Sequence, residues 1–335
     1  MLSAALLLAA CSGDEPPPRA VGAERPAPVE EPPPTCPLTG VEISDEAVLD
    51  KPAVAVKIEN SPQARPQTGL EHADVVFEEI VEGGITRFMA IYHCQVSDKV
   101  GPVRSARFDD PKFAKPFTSV LVYSGANATV NRELAAQGLV LVSEDGGSDG
   151  LFRDPPGTYT THSLFADVKQ VRRLKEVRKL DPPPADLFGF GELTNPSKKA
   201  RRVTLNFTAS NTIEYRWEGN AWARYEAGAP FMTAAGDQIA PANVLVLVVD
   251  VNASSTIVDV AGNPSPMIDF SGRGKALLFR DGSVVKGTWE VGPDGVPSFS
   301  DKEGTEMVFA PGSTWIELIP SQAGTVKGSF DFSKR

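Results

Sequence analysis

The sequence predicts an α/β half, a mixed sheet with helices, followed by a β-rich half. Three observations carry this. Strand and helix signals interleave up to about residue 180. A helix-breaking run, Asp181-Pro182-Pro183-Pro184, then interrupts the chain, with Gly189, Gly191 and Asn195-Pro196-Ser197 close behind. Beyond residue 200 the texture becomes short apolar stretches separated by turns. About three hundred residues also exceed what one core usually holds, so two domains are expected, at residues 36–195 and 200–320, with 321–335 as a tail.

The chain opens on a ten-residue apolar run that ends in Leu8-Ala9-Ala10-Cys11. A small residue before Cys suits cleavage by a signal peptidase, and the Cys11 thiol then takes a lipid. Residues 1–11 therefore read as a lipoprotein signal and lipobox rather than as the start of a fold. The run falls short of the roughly twenty residues that span a bilayer. It carries no basic residue in front, so a Lys/Arg-bearing segment is expected upstream of Met1. Residues 12–35 contain eight prolines and several acids, with no apolar side chain larger than Val. Such a stretch buries too little surface to offset its ordering entropy and serves as an extended tether. The expected location is outside the cytoplasm, with the lipid anchor in the outer face of the cytoplasmic membrane.

Residues 53–58 (Ala-Val-Ala-Val-Lys-Ile) form the first predicted strand, and residues 74–81 and 85–93 form two more, joined by Gly83-Gly84. A fourth strand is expected over 119–123, a helix over 129–137 stopped by Gly138, and a strand over 139–142. Residues 165–180 read as an amphipathic basic helix, with Lys169, Arg172, Arg173, Lys175, Arg178 and Lys179 on a solvated face. In the second half, strands are expected over 203–207, 212–217, 244–251, 275–279, 284–291, 307–309 and 314–318. Glu218-Gly219-Asn220, Asp281-Gly282 and Pro293-Asp294-Gly295 supply turns.

The net charge of -10 leaves no excess of Lys and Arg to release counterions, which argues against nucleic acid as a partner. Apart from Cys11 the chain has two cysteines, Cys36 and Cys94, with no CxxC or His-rich spacing. In an oxidising compartment such a pair reads as a disulfide rather than a metal site. Closing a loop of this length contributes about 4 kcal/mol in the chain-entropy model.

Candidate chemistry gathers in the first half. With a two-residue Gly83-Gly84 turn, Glu82 pairs with Ile85 and Ile80 with Arg87. Glu78, Ile80 and Glu82 then share a face with Arg87 and Met89, and Arg87 reaches both carboxylates. Glu79 falls on the opposite, apolar face, either as an ion-pair partner or as a general acid. Gly101-Pro102-Val103-Arg104-Ser105-Ala106-Arg107 sets two arginines three apart beside a hydroxyl, which suits a carboxylate or phosphate clamp, or pairing with Glu79, Asp109 or Asp110. His162 lies in a polar loop with Arg153 and Asp154 upstream. Ligand-binding candidates are thus Arg87, Arg104, Arg107 and Arg153, and acid/base candidates are Glu79, Glu82 and His162.

The segments Arg65-Pro66-Gln67-Thr68-Gly69-Leu70, Ala73-Asp74-Val75-Val76-Phe77-Glu78, Glu82-Gly83-Gly84-Ile85-Thr86-Arg87 and Gly101 to Arg107 resemble the YerB-type family of bacterial lipoproteins. That family is a domain of unknown function with N-terminal and C-terminal halves. The likeness runs on through Phe152-Arg153-Asp154 to His162. It resumes at Ala242-Asn243-Val244, Gly287-Thr288-Trp289 and Pro311-Gly312-Ser313-Thr314-Trp315-Ile316. Two departures accompany it. The chain has Thr161-His162-Ser163-Leu164 where the family tends to Pro-His-Asn-Leu, and Ser124-Gly125-Ala126-Asn127-Ala128 where it favours a Gly-Gly-Ser-type loop. The resemblance implies an architecture and a lipid anchor rather than an activity.

No GxSxG elbow, HExxH, Walker loop or dinucleotide fingerprint is present, so neither a cofactor nor a metal is expected. Three function classes follow: a binder of an anionic envelope ligand such as a cell-wall glycan, a hydrolase of envelope polymer using Glu/His chemistry, and an interaction scaffold. Convergence of a carboxylate, His162 and the arginines in one cleft favours the enzyme, arginines alone favour binding, and arginines consumed by internal ion pairs favour the scaffold.

Overall fold

The computed structural model describes residues 33–259 and 261–334. Cys11 and residues 12–32 of the tether lie outside them. From Pro34 onward the chain forms one compact unit.

Five strands of the first half enter the large sheet: β1 (Val54–Glu59), β2 (Val75–Ile80), β3 (Thr86–Tyr92), β4 (Val120–Tyr123) and β5 (Val140–Ser143). They lie in the order β2-β3-β1-β4-β5, and β2 continues into strands of the second half. Thr314–Pro320 pairs in parallel with β2, Asn243–Val258 follows in parallel, and Arg273–Arg280, Ser283–Val291 and Pro297–Asp301 complete the run antiparallel. One large mixed sheet thus spans both halves. Every residue of β1, β2 and β3 is buried, which is why these segments read as nearly continuous apolar runs rather than as alternating ones.

A second sheet orders Ala229–Pro230, Ala221–Glu226, Asn211–Glu218, Arg202–Thr208 and Ser329–Ser333. Its last strand comes from the stretch expected as a tail. Phe330 and Phe332 face Leu205 and Val203 there, giving that stretch an apolar face to bury.

Helix is scarcer than the α/β reading anticipates, at 11% against 43% strand. In the first half α1 (Asp110–Ala114) and α2 (Ala128–Ala136) flank the sheet. The Asn127 side chain accepts from Val130 N at 2.9 Å to cap α2, and Gly138, at φ +73°, ends it. Residues 165–180 correct the prediction of one long basic helix. Leu164–Ala166 pairs as a strand with Leu151–Arg153, and only a four-residue helix, Val168–Val171, and a 3-10 turn, Val177–Lys179, follow. Arg172 turns inward, donating to the carbonyls of Tyr92 (3.1 Å) and His93 (2.6 Å), which is incompatible with a fully solvated cationic face. α1 covers the sheet through Phe113, whose ring lies 5.5 Å from Phe77 and 5.4 Å from Phe270.

Candidate functional site

The β2–β3 connection sets the polar architecture of the first half. Glu82–Gly84 forms a 3-10 turn, Gly83 and Gly84 both take positive φ, and the hairpin closes where Val81 N donates to Ile85 O. The register therefore pairs Glu79 with Arg87 and Ile80 with Thr86. This is one residue away from the two-residue turn expected, and a slip of one exchanges the faces. Glu79 and Arg87 share a face with Lys57 and Glu59 of β1, since Glu59 is opposite Arg87 and Lys57 opposite Met89. Glu78 lies on the other face with Thr86 and Phe88.

Glu79 is answered by Lys57 and not by an arginine. Lys57 Nζ contacts Glu79 and reaches Asp110 Oδ1 at 2.7 Å, with all three residues almost fully buried. Burial pushes the Lys57 ammonium down to about 8, against the pull of Asp110, and it stays charged at neutral pH. Glu79 is thus enclosed in an ion-pair cluster behind the site, which removes it from the acid/base candidates.

In front of that cluster lies a cleft of about 830 Å³. Its floor carries Arg87, Arg104 and Arg107 with Glu59 and Glu82, and its sides include Ser124 to Asn127 and His162. Arg153, Glu144, Asp145, Tyr159 and Asp259 stand farther out in the sequence and line it too. The long hairpin of Asn243–Val258 and Pro264–Asp269 contributes Val258, Asp259 and Ser265, so the second half walls a cleft floored by the first.

The arginines differ in what holds them. Arg107 bonds Glu82 through Nε (2.8 Å) and Nη2, and its Nη1 donates to the carbonyls of Ser105 (3.2 Å) and Ala106 (3.0 Å). Arg153 bonds Glu144 through Nε and Nη2, while its Nη1 donates to Thr160 O and Ser163 Oγ. Arg104 engages Glu59 through Nε alone, at 2.6 Å, and no hydrogen bond to its two Nη atoms exists among the described residues. Arg87, 5% exposed, donates from Nη1 to Ser105 O, while its buried Nε has no partner. Arg87, Arg104 and Arg107 face Glu59 and Glu82, while Arg153 with Glu144, Asp145 and Asp259 lines the rest of the cleft. Burial and the charge of Arg107 push the Arg87 guanidinium down to about 9. Burial opposes ionisation of Glu59, yet Arg87 and Arg104 hold it below the usual carboxylate range.

The cleft therefore brings together Arg87, Arg104, Arg107, Arg153, Glu82 and His162 and leaves Glu79 out. His162 Nδ1 is buried without a partner among the described residues, whereas Glu82 is held by Arg107 and by the Ser265 hydroxyl. Sequence reading missed Lys57 and Glu59, which hold the candidates in place. The available signal was two opposite charges two apart in an otherwise apolar strand, on one face by period two. Cys36 and Cys94 form a disulfide, Cα–Cα 6.0 Å. They and His93 are the one His/Cys cluster with metal-ligand spacing among the described residues, and its sulfurs are bonded to each other.

Comparison with known proteins extends the sequence resemblance over most of the chain. The model described as the N-terminal domain of a protein of unknown function (DUF3048) matches residues 38–181, and its C-terminal companion matches 203–316. The "Putative lipoprotein YerB" of Bacillus subtilis (strain 168) is 30% identical over 297 residues, 85% of this chain and 86% of that protein. The crystal structure of YerB protein from Bacillus subtilis superposes with a TM-score of 0.73 at 27% identity, covering 89% of this chain and 99% of that one. Matches to both halves, in order and over most of the length, establish that the chain belongs to the DUF3048 family.

Proposed function

We propose that the protein is a lipoprotein of the cell envelope, anchored through Cys11, whose cleft binds an anionic ligand of the carboxylate-bearing wall-glycan class. The name of the Bacillus subtilis relative and the Leu8-Ala9-Ala10-Cys11 lipobox support the anchor. No described helix is long and apolar enough to cross a membrane. Replacing Cys11 by Ala is expected to move the protein from the membrane to the soluble fraction of fractionated cells. Retention in the membrane would overturn the anchor.

The observation that carries the ligand reading is the pair of Arg104 donors, Nη1 and Nη2, which make no hydrogen bond among the described residues and line the cleft. Planar guanidinium donors match a carboxylate. Tyr159, 83% exposed on the cleft wall, offers a ring face against which a sugar can pack. The cleft does gather His162 and Glu82 with the arginines, which favours the hydrolytic reading, but Glu79 is enclosed and Glu82 accepts on both oxygens, from Arg107 and Ser265, so neither carboxylate is free for acid/base work. The scaffold reading fits Arg107 and Arg153, which are fully engaged, but not Arg104.

The test is binding of fluorescently labelled uronic-acid-containing wall fragments, with neutral glucan fragments of equal length as control. Losing charge-assisted bonds of roughly 1.5–3 kcal/mol, Arg104→Ala is expected to weaken binding about 10- to 100-fold. Its melting temperature should fall only slightly, because buried Glu59 keeps Arg87 at 3.6 Å and the Ser61 amide at 3.2 Å. Arg107→Ala should lower the melting temperature more, by leaving buried Glu82 without its cation. Equal binding of the acidic and neutral fragments, or an unaffected Arg104→Ala, would overturn the reading, and cleavage of the fragments would favour the hydrolase.

A further inference from the structure

Away from the cleft, each sulfur of the Cys36–Cys94 disulfide has an ionisable neighbour. Cys36, 1% exposed, has its Sγ 3.9 Å from Asp74 Oδ1. Cys94 is half-buried, and its Sγ lies 3.4 Å from His93 Nδ1. On the far side of that ring, Nε2 is 3.0 Å from the Lys51 carbonyl, which can only accept. The ring proton therefore belongs on Nε2, and Nδ1 presents a lone pair to the Cys94 sulfur. A disulfide sulfur has no proton to give it, whereas a thiol would. The oxidised pair thus leaves a buried acceptor idle that the reduced pair would satisfy.

Asp74 supplies the other half. Its Oδ2 accepts from the amides of His93 and Cys94, the latter at 3.1 Å, so the carboxyl is fixed to the turn that carries the bond. Burial pushes it up to about 7, against those amides, the Gln95 amide and the charge of Arg172. A carboxyl that is protonated about half the time at neutral pH hence sits beside the more buried sulfur.

We infer that Cys36–Cys94 is a thiol–disulfide exchange site for a dithiol reductant, with Cys94 as the sulfur attacked and Asp74 as proton donor to Cys36. A thiolate of the dithiol bonds to Cys94 Sγ, and the Cys36–Cys94 bond breaks with its electron pair on Cys36 Sγ, which takes the Asp74 proton. The second thiol of the reductant, losing its proton to solvent, displaces Cys94, whose sulfur is protonated from solvent and donates to His93 Nδ1. The dithiol leaves as its disulfide, two cysteine thiols remain, and solvent reprotonates Asp74. Protonating the departing sulfur lowers the barrier because the better leaving thiol leaves faster. Reduction unpins Cys36, where the described chain enters the fold, from the end of β3.

The test follows reduction of the full chain by excess dithiothreitol between pH 6 and 8, with thiols counted by mass spectrometry after alkylation and rates divided by thiolate concentration. Across this window His93 stays neutral, since burial pushes it down to about 4. Arg172, lowered to about 10, stays charged, and Tyr92 is pushed up, away from the window. The expected result is reduction with the near-ultraviolet dichroism of the fold intact. The normalised rate should fall about tenfold from pH 6 to pH 8 as Asp74 loses its proton, and Asp74→Asn should be slower and flat with pH. Reduction only after loss of the tertiary signal, or a flat profile in the unmodified chain, overturns the inference, and so does an Asp74→Asn variant that matches it.

Discussion

Replacing Lys57 by methionine is expected to destabilise the protein by about 3–5 kcal/mol, the cost of leaving buried carboxylates without their cation. Lys57 and Asp110 are fully enclosed and Glu79 is 1% exposed, so water cannot solvate what the ammonium leaves behind. Asp110 keeps one support, the Arg107 amide at 2.7 Å. Among the described residues Glu79 keeps none, because its second oxygen already lacks a partner and Lys57 is its one cation there. For a chain of this size the loss corresponds to a melting temperature lower by on the order of 10 °C, which calorimetry reads directly. Adding Glu79→Gln to the methionine variant removes one of the stranded charges and should recover part of the loss. An unchanged melting temperature for Lys57→Met would mean that the cluster is hydrated, and Glu79 would return as an acid/base candidate.

The same cluster shows how far the sequence could be read. Apolar runs announce strands, and β1 to β5 fall within a residue or two of where they are expected, because burial demands Val, Ile and Ala whatever the topology, whereas the short strands Leu151–Arg153 and Leu164–Ala166 were not expected. The turn did not declare its length. Gly83-Gly84 suits a two-residue loop and the observed longer one alike, and both fit the apolar pattern, so the shorter loop put Glu79 on the face opposite Arg87, whereas the observed register pairs the two. Helix was overestimated at 165–180 because its period-matched valines, Val168, Val171 and Val177, are buried by short turns packed on the sheet as well as by a continuous helix. That one sheet spans both halves is a non-local fact. The parallel pairing of Val75 with Thr314 joins residues more than two hundred apart, and no local signal encodes it. The cleft shares this property, being floored by one half and walled by a hairpin of the other.

Arg224→Met should produce a loss of similar size, again about 3–5 kcal/mol, and for a reason that joins the two sheets. Arg224 belongs to Ala221–Glu226, a strand the sequence did not announce, and is completely buried where the second sheet covers the β2 end of the first. Its Nη1 donates to Glu78 Oε2 at 2.7 Å and to the Tyr215 hydroxyl at 2.8 Å. Its guanidinium lies 4.8 Å from the ring centre of Phe231 and 5.0 Å from that of Trp315. Glu78 and Glu317 are paired residues on neighbouring strands, so two carboxylates share this one guanidinium. Burial, with Glu78 alongside, pushes the Glu317 carboxyl well above the usual range. The closest ion pair of Arg224 is with Glu78, and Glu226 lies at 3.2 Å at the margin. Methionine fills much of the slot between the aromatic rings but strands Glu78, whose remaining donors are Thr86 Oγ1 at 2.6 Å and Asn60 Nδ2 at 3.3 Å. Those two donors serve a neutral amide as well as a carboxylate, so Arg224→Met combined with Glu78→Gln should be clearly more stable than Arg224→Met alone. Urea unfolding of the four members of this cycle measures the difference. If the double variant is no more stable than the single one, the loss comes from packing around the rings, and the ion pair is not what holds the sheets together.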